Sequence, residues 1–207
     1  MGGEIGKNEN DESEPTKVLH DQLLHSSSNS DNLKNQVEAW LGEISPGTRL
    51  DITPHKTMDL INLQYADEAQ NIYRSTNVGF GITYTLPIIV AVLSATVDTL
   101  ILLENPESHL HPKGQSKIGE LIALAANSGV QIIVETHSDH ILNGIRKVVR
   151  NHQANADKVQ IYYFQKYLRK REVITEITSP KLYPDGGIDK WPDGFFDQAE
   201  KDLMELL

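Results

Sequence analysis

Apolar residues recur along this chain with two different periods, and the change between them divides it. In Leu33–Leu41, the residues Leu33, Val37, Trp40 and Leu41 fall at i, i+4, i+7 and i+8. That spacing predicts an amphipathic helix, which Pro46 and Gly47 bring to a stop. Ahead of it, Lys17–His25 carries a weaker helical stripe through Val18, Leu19 and Leu23, and Ser26–Asp31 forms a polar link. Arg49–Thr53 and Met58–Tyr65 read as two strands of a meander. Between Ser75 and Val97 no residue is charged, and Leu86–Val97 is almost wholly apolar. A membrane-spanning helix needs about 20 predominantly apolar residues, and this run supplies roughly half of that. A buried helix is the better reading, with Pro87 in its first turns, where a missing N–H costs little.

Beyond it the period shortens. Thr99–Glu104 and Val130–Thr136 are short continuous apolar runs, the mark of parallel strands covered on both faces. Between them Pro112–Asn127 carries Ile118, Leu121, Ile122 and Ala125 on one side and ends before Ser128-Gly129, which completes a strand-helix-strand unit. A helix over Ser138–Asn151 and strands over Val159–Phe164 and Glu172–Ile177 follow. This order predicts a three-layer α/β domain with a mainly parallel sheet and flanking helices. The chain divides into a disordered acidic tail and linker over 1–30, a helix with short strands over 31–74, a layered core over 75–164 and an extension over 165–207.

Charge and composition narrow the functions. Nineteen Lys and Arg against 29 Asp and Glu leave a net charge of −10. An acidic chain is a poor free-standing DNA binder, because neutralising phosphates requires clustered cations. There is no cysteine, which removes disulfide frameworks, zinc ribbons and thiol catalysis and makes a reducing cytoplasm the expected setting. The first 17 residues include Glu4, Asp11, Glu12 and Glu14 and no apolar stretch, unlike a secretory signal.

The chemistry concentrates at the ends of the two apolar strands. A carboxylate there is costly unless it faces a cation or a cleft, and open α/β sheets bind ligands beyond the carboxyl ends of their strands. Glu104 and Glu107 lie where the first strand runs out, and the second ends in Glu135-Thr136-His137-Ser138. Each residue alone has an ordinary reading, the Glu as a solvated strand end and the His as a helix cap. Their joint occurrence after two matching strands points to one crevice holding an acid and an imidazole. His109, His111, His137 and His140 with Asp139 also have metal-ligand types at usable spacings, as a lesser reading. Lys166–Arg171 reads as a solvated hairpin turn, with nucleic-acid contact the lesser reading, and Trp191, Phe195 and Phe196 as an anchor docking onto the core, with a grip on a second subunit as the alternative.

LILLENPESHLHP followed by VQIIVETHSDHILNGIR resembles the Walker B, D-loop and switch-histidine segments of RecF/OLD-type ABC-like ATPases of the AAA family. STNVGFGITYTLPIIVAVLSA resembles their signature motif and its helix, and the tail ending in WPDGFFDQAEKDLMELL resembles the C-terminal extension of one branch. The resemblance covers roughly Leu60–Leu207. It implies that 75–164 is an ATPase core using ATP and Mg²⁺. Ser75, Asn77, Gly79 and Gly81 would present backbone N–H groups and a helix N-terminus to the γ-phosphate of ATP held by a facing protomer, which suits close-approaching glycines. Glu104 takes the Walker B position, holding Mg²⁺ through its water shell, and His137 that of the switch histidine. Where relatives carry a water-orienting Glu after the Walker B acid, this chain has Asn105, which cannot accept a proton. Glu107 is the remaining carboxylate for that role.

A second departure is larger. No G-x-x-x-x-G-K-[ST] phosphate loop is present; Gly6-Lys7-Asn8 lacks both the first Gly and the Ser or Thr. The resemblance is therefore to the C-terminal half of such a head, lacking the Walker A lobe, and implies a P-loop supplied by a Walker A-containing lobe or homologous chain in a dimer sandwich. It further implies work in DNA processing or antiphage defence, with DNA reached through the assembly and no membrane involved. The alternative is a truncated, non-catalytic partner-binding or regulatory module.

Overall fold

The computed structural model describes residues 17–207 apart from 19, 56, 170 and 171. Its helices are α1 (Leu33–Ile44), α2 (Phe80–Ser94), α3 (Pro112–Asn127), α4 (Asp139–Arg150) and α5 (Gln198–Leu206). Its strands are β1 (Arg49–His55), β2 (Leu60–Ala66), β3 (Ile72–Arg74), β4 (Leu100–Glu104), β5 (Gln131–Glu135), β6 (Tyr163–Arg169) and β7 (Glu172–Thr178).

Helix α1 begins where its pattern says it should. Asn32 caps it by accepting from the Asn35 N–H (3.3 Å), and Val37, Trp40 and Leu41 turn inward. The Trp40 indole donates to the Leu23 carbonyl at 2.9 Å, tying the preceding segment to the helix. Val18 and Leu23 join the same core, so part of the stretch expected as tail and linker packs against the domain. Residues 1–16 lie outside the described residues. The meander appears as an antiparallel sheet ordered β1-β2-β3. Buried Glu38 anchors it to α1 by accepting from the Leu50 N–H at 2.7 Å.

Helix α2 starts earlier than its apolar run, at Phe80, which places Pro87 in the helix interior rather than its first turns. The Pro87 ring removes the donor that the Thr83 carbonyl would otherwise receive. Thr85, Leu86, Ile89, Val92 and Leu93 of α2 are buried, and most of them pack with α1 and α3 in the main core. Helices α3 and α4 cross so closely that a Cβ on Gly119 would collide with the Ile141 carbonyl oxygen, and one on Gly144 with that of Ser116.

The α/β mixture stands, but the sheet differs from the expected one. Among the described residues the only parallel pairing is β4 with β5, beside two separate antiparallel sheets. The apolar run Val159–Phe164 was expected as a strand of that parallel sheet. Instead Val159 and Ile161 pack into a small second core with Val149, Ala156 and Leu182, and the strand begins at Tyr163, hairpinned to β7. Continuous apolarity reports burial without saying which edge a segment joins. The basic run, expected as a turn, lies partly in β6, which carries Lys166 through Arg169.

Candidate nucleotide site at the strand ends

Strands β4 and β5 end in register, with Glu104 opposite Glu135. Strand alternation puts both carboxylates on one face of the pair, together with Leu100, Leu102 and Ile133, while Ile101, Leu103, Ile132 and Val134 turn toward the core. After Glu104 the chain turns sharply. Asn105 adopts a left-handed φ of 46° while its N–H still donates to the Glu135 carbonyl at 3.0 Å.

That turn carries Glu107 across to the neighbouring strand. Its Oε2 accepts from the Thr136 hydroxyl at 2.7 Å, and its Oε1 accepts from the His137 backbone N–H at 2.7 Å. The structure thus brings Glu107 and His137 together, through the backbone of His137 rather than its ring. The imidazole Nε2 instead lies 3.1 Å from Glu135 Oε1, with the His137 side chain 81% exposed. The sequence passage containing Glu135 was legible, but its part in the site was missed. Its position as the last, outward-facing residue of an alternating strand, level with Glu104, was the available signal. Ser138 then caps α4, accepting from the His140 and Ile141 N–H groups and donating to Gln115.

The start of α2, from Phe80 to Tyr84, borders the same edge. Ser75–Asn77 form one tight turn and Gly79 caps α2, with nothing within 4 Å of where a side chain on Gly79 would begin. Gly81 is different, since a Cβ there would lie 2.6 Å from the His109 carbonyl oxygen. Close approach of the loop after β4 therefore demands glycine at 81. His109, at φ 63°, lies with its ring 5.2 Å from Phe80 and 6.0 Å from Tyr84. The Tyr84 hydroxyl reaches the Glu104 carbonyl at 3.4 Å. The N-terminus of α2, the Glu107 loop and the start of α4 are thereby joined into one continuous rim.

Chemically this is a rim of backbone donors and acids. The two exposed carboxylates at the strand ends suit Mg²⁺, which keeps most of its waters and takes one or two carboxylates together with substrate phosphates. Among the described residues no group of three or more His, Cys, Asp or Glu is placed to hold a metal by itself, so the His109, His111, His137 and His140 set is not assembled into a site. Among them, too, no helix is long and apolar enough to cross a membrane.

Residues 5–143 match a family described as "AAA domain, putative AbiEii toxin, Type IV TA system", and residues 155–206 match one described as "Protein of unknown function (DUF3696)". The Old nuclease of Escherichia phage P2 is 36% identical over 62 residues, covering 30% of this chain and 10% of that relative. The match thus spans about a tenth of the curated relative's length. Among solved structures, the SmcHead bound to the C-winged helix domain of ScpA superposes with a TM-score of 0.50 at 14% identity, covering 72% of this chain and 42% of that one. A chain from the structural biochemistry of ATP-driven dimerization and DNA-stimulated activation of SMC ATPases gives 0.49 at 13% identity, covering 84% and 90%.

Proposed function

This chain belongs to the AAA-domain family of the AbiEii type, and from that premise we propose that it is one part of an ATPase head whose P-loop lies outside these 207 residues. In this reading Ser75, Asn77, Gly79 and Gly81 face the γ-phosphate of ATP. Glu104 holds the Mg²⁺ water shell, and His137 faces the phosphate or the attacking water. Glu107 keeps the His137 backbone in place and is the carboxylate nearest to the role that Asn105 cannot fill. When bound, Mg²⁺ would offset the charge of the phosphate oxygens.

One observation carries the reading. On the face that ends in Glu104 and Glu135, Leu100, Leu102 and Ile133 are 52%, 68% and 56% exposed. Parallel strands are ordinarily covered on both faces, and a bare apolar face leading to two acids is what a phosphate-binding lobe would cover. Ile52, Ile61 and Leu63, on one face of the β1–β2 pair, are exposed as well. On this reading β4 and β5 are the inner strands of a wider, mainly parallel sheet in a three-layer α/β domain completed by the lobe that brings the P-loop. The likeness to the phage nuclease supports a DNA-processing or defence setting. The net charge of −10 assigns DNA contact to other parts of the assembly.

A second reading, a non-catalytic regulatory module, is favoured by Asn105 and by the engagement of both Glu107 oxygens. One experiment separates the two. The chain is mixed with a Walker A-bearing protein encoded beside it, and phosphate release is followed. Turnover that appears only in the mixture and is lost with Glu107→Gln or His137→Ala supports the enzyme. Turnover indifferent to both substitutions rejects the site, and stable association without turnover favours the regulatory module.

A further inference from the structure

The β6–β7 hairpin has two unlike faces. Its register, Phe164 opposite Ile177 and Leu168 opposite Val173, gathers those four side chains on one face with Lys166 between them, and all four are more than half exposed. The other face carries Tyr163, Gln165 and Tyr167 and is occupied by the chain's own later segment. The Gln165 amide donates to the Asp193 carbonyl at 2.8 Å, and the Phe195 ring packs 5.2 Å from Tyr163. An isolated two-stranded hairpin is marginal in water, so the uncovered face needs a cover.

Helix α5 carries a matching stripe. Ala199, Leu203 and Leu206 recur at i, i+4 and i+7, flanked by Glu200 and Asp202, and no residue of the helix is buried. Lys201 projects from the opposite side, paired with Asp193 at 2.6 Å and Asp197 at 2.9 Å. The Asp193 pair ties α5 to the loop that meets Gln165 on the occupied face of its own hairpin, the Asp197 pair stays within the helix start, and the apolar stripe on the other side of α5 lies exposed. We infer that the bare hairpin face receives α5 of a second copy of this chain, reciprocally, with Lys166 set between Glu200 and Asp202 of that copy. The proposal concerns a surface away from the strand-end rim and goes beyond the nucleotide reading.

The dimensions agree. A nine-residue helix is about 13 Å long, and a seven-residue strand pair of about 23 Å accommodates it. Two contacts built on nine-residue helices make a small interface, so the dimer forms with rising concentration rather than permanently.

Sedimentation velocity on the purified 207-residue chain, without nucleotide, tests this independently of the ATPase reading. The expected result is a monomer–dimer equilibrium that Leu203→Glu, Phe164→Glu and Lys166→Glu each weaken about tenfold or more, with unchanged circular dichroism. Adding Glu200→Lys and Asp202→Lys to Lys166→Glu should restore it. Because the chain has no cysteine, mixing a Leu168→Cys chain with a Leu206→Cys chain under oxidation should give a disulfide-linked pair. A monomer at every concentration, a dimer indifferent to these substitutions, or no disulfide between the Leu168→Cys and Leu206→Cys chains would overturn the proposal.

Discussion

Glu107 shows how one side chain can tie two loops. Each carboxylate oxygen accepts a single hydrogen bond from the corner after β5, at 2.7 Å, and hydrogen bonds to a charged acceptor contribute roughly 1.5–3 kcal/mol. Glu107→Ala should therefore lower the urea midpoint modestly and speed exchange of the His137 amide about tenfold or more. An unchanged exchange rate would show that the corner holds itself. Glu120 offers a pH handle. Burial alone would push its carboxyl up, but the ammonium groups of Lys147 and Lys117 outweigh that and hold it below the usual carboxylate value. A depressed folded-state value stabilises above the unfolded-chain value near about 4.3. That contribution is lost as pH falls through the lower, folded one. The stability gap between the natural chain and Glu120→Gln should thus be open near neutrality and close progressively in acid. A gap constant with pH would remove the ion cluster from the account.

Between elements, the contact of α3 with α4 depends most on small residues. Gly119 and Gly144 meet backbone carbonyls across the crossing, where no flexible side chain can yield. Gly119→Ala and Gly144→Ala should each destabilise by about 1–3 kcal/mol or more, the cost of forcing atoms into a packed contact. This holds although alanine is the better helix former. Gly42, with nothing within 4 Å of its added Cβ, is the control: Gly42→Ala should be neutral or stabilising by up to about 1 kcal/mol in a denaturant melt. Were all three substitutions equally mild, the helices would lie farther apart than described here. Because α4 begins at the rim, moving it would also shift the His137 corner.

At the scale of the molecule, the distribution of uncovered apolar surface sets its associations. Leu102→Lys, on the face ending in Glu104, should change the stability of the isolated chain by no more than about 0.5 kcal/mol, as at other exposed positions. The same substitution should abolish association with a P-loop lobe, measured by co-purification or calorimetry. Undiminished binding would mean the lobe docks elsewhere.

Much of this architecture could be read before any coordinates. Helices α1 and α3, strands β4 and β5 and the stops after the two helices follow from spacing and from Gly and Pro placement, because local periodicity and backbone sterics act over a few residues. The coincidence of Glu104, Glu107 and His137 near one edge was legible for the same reason, since consecutive strand ends of a parallel unit must meet. What only the tertiary structure decided is which atoms face which. The Glu107 carboxylate binds the His137 backbone, Glu135 takes its ring, and Val159 leaves the sheet for a second core. Those outcomes depend on long-range packing and on the angle of approach between segments far apart in the chain. Hydrophobicity along the sequence records that a residue is to be buried and carries no information about its partner.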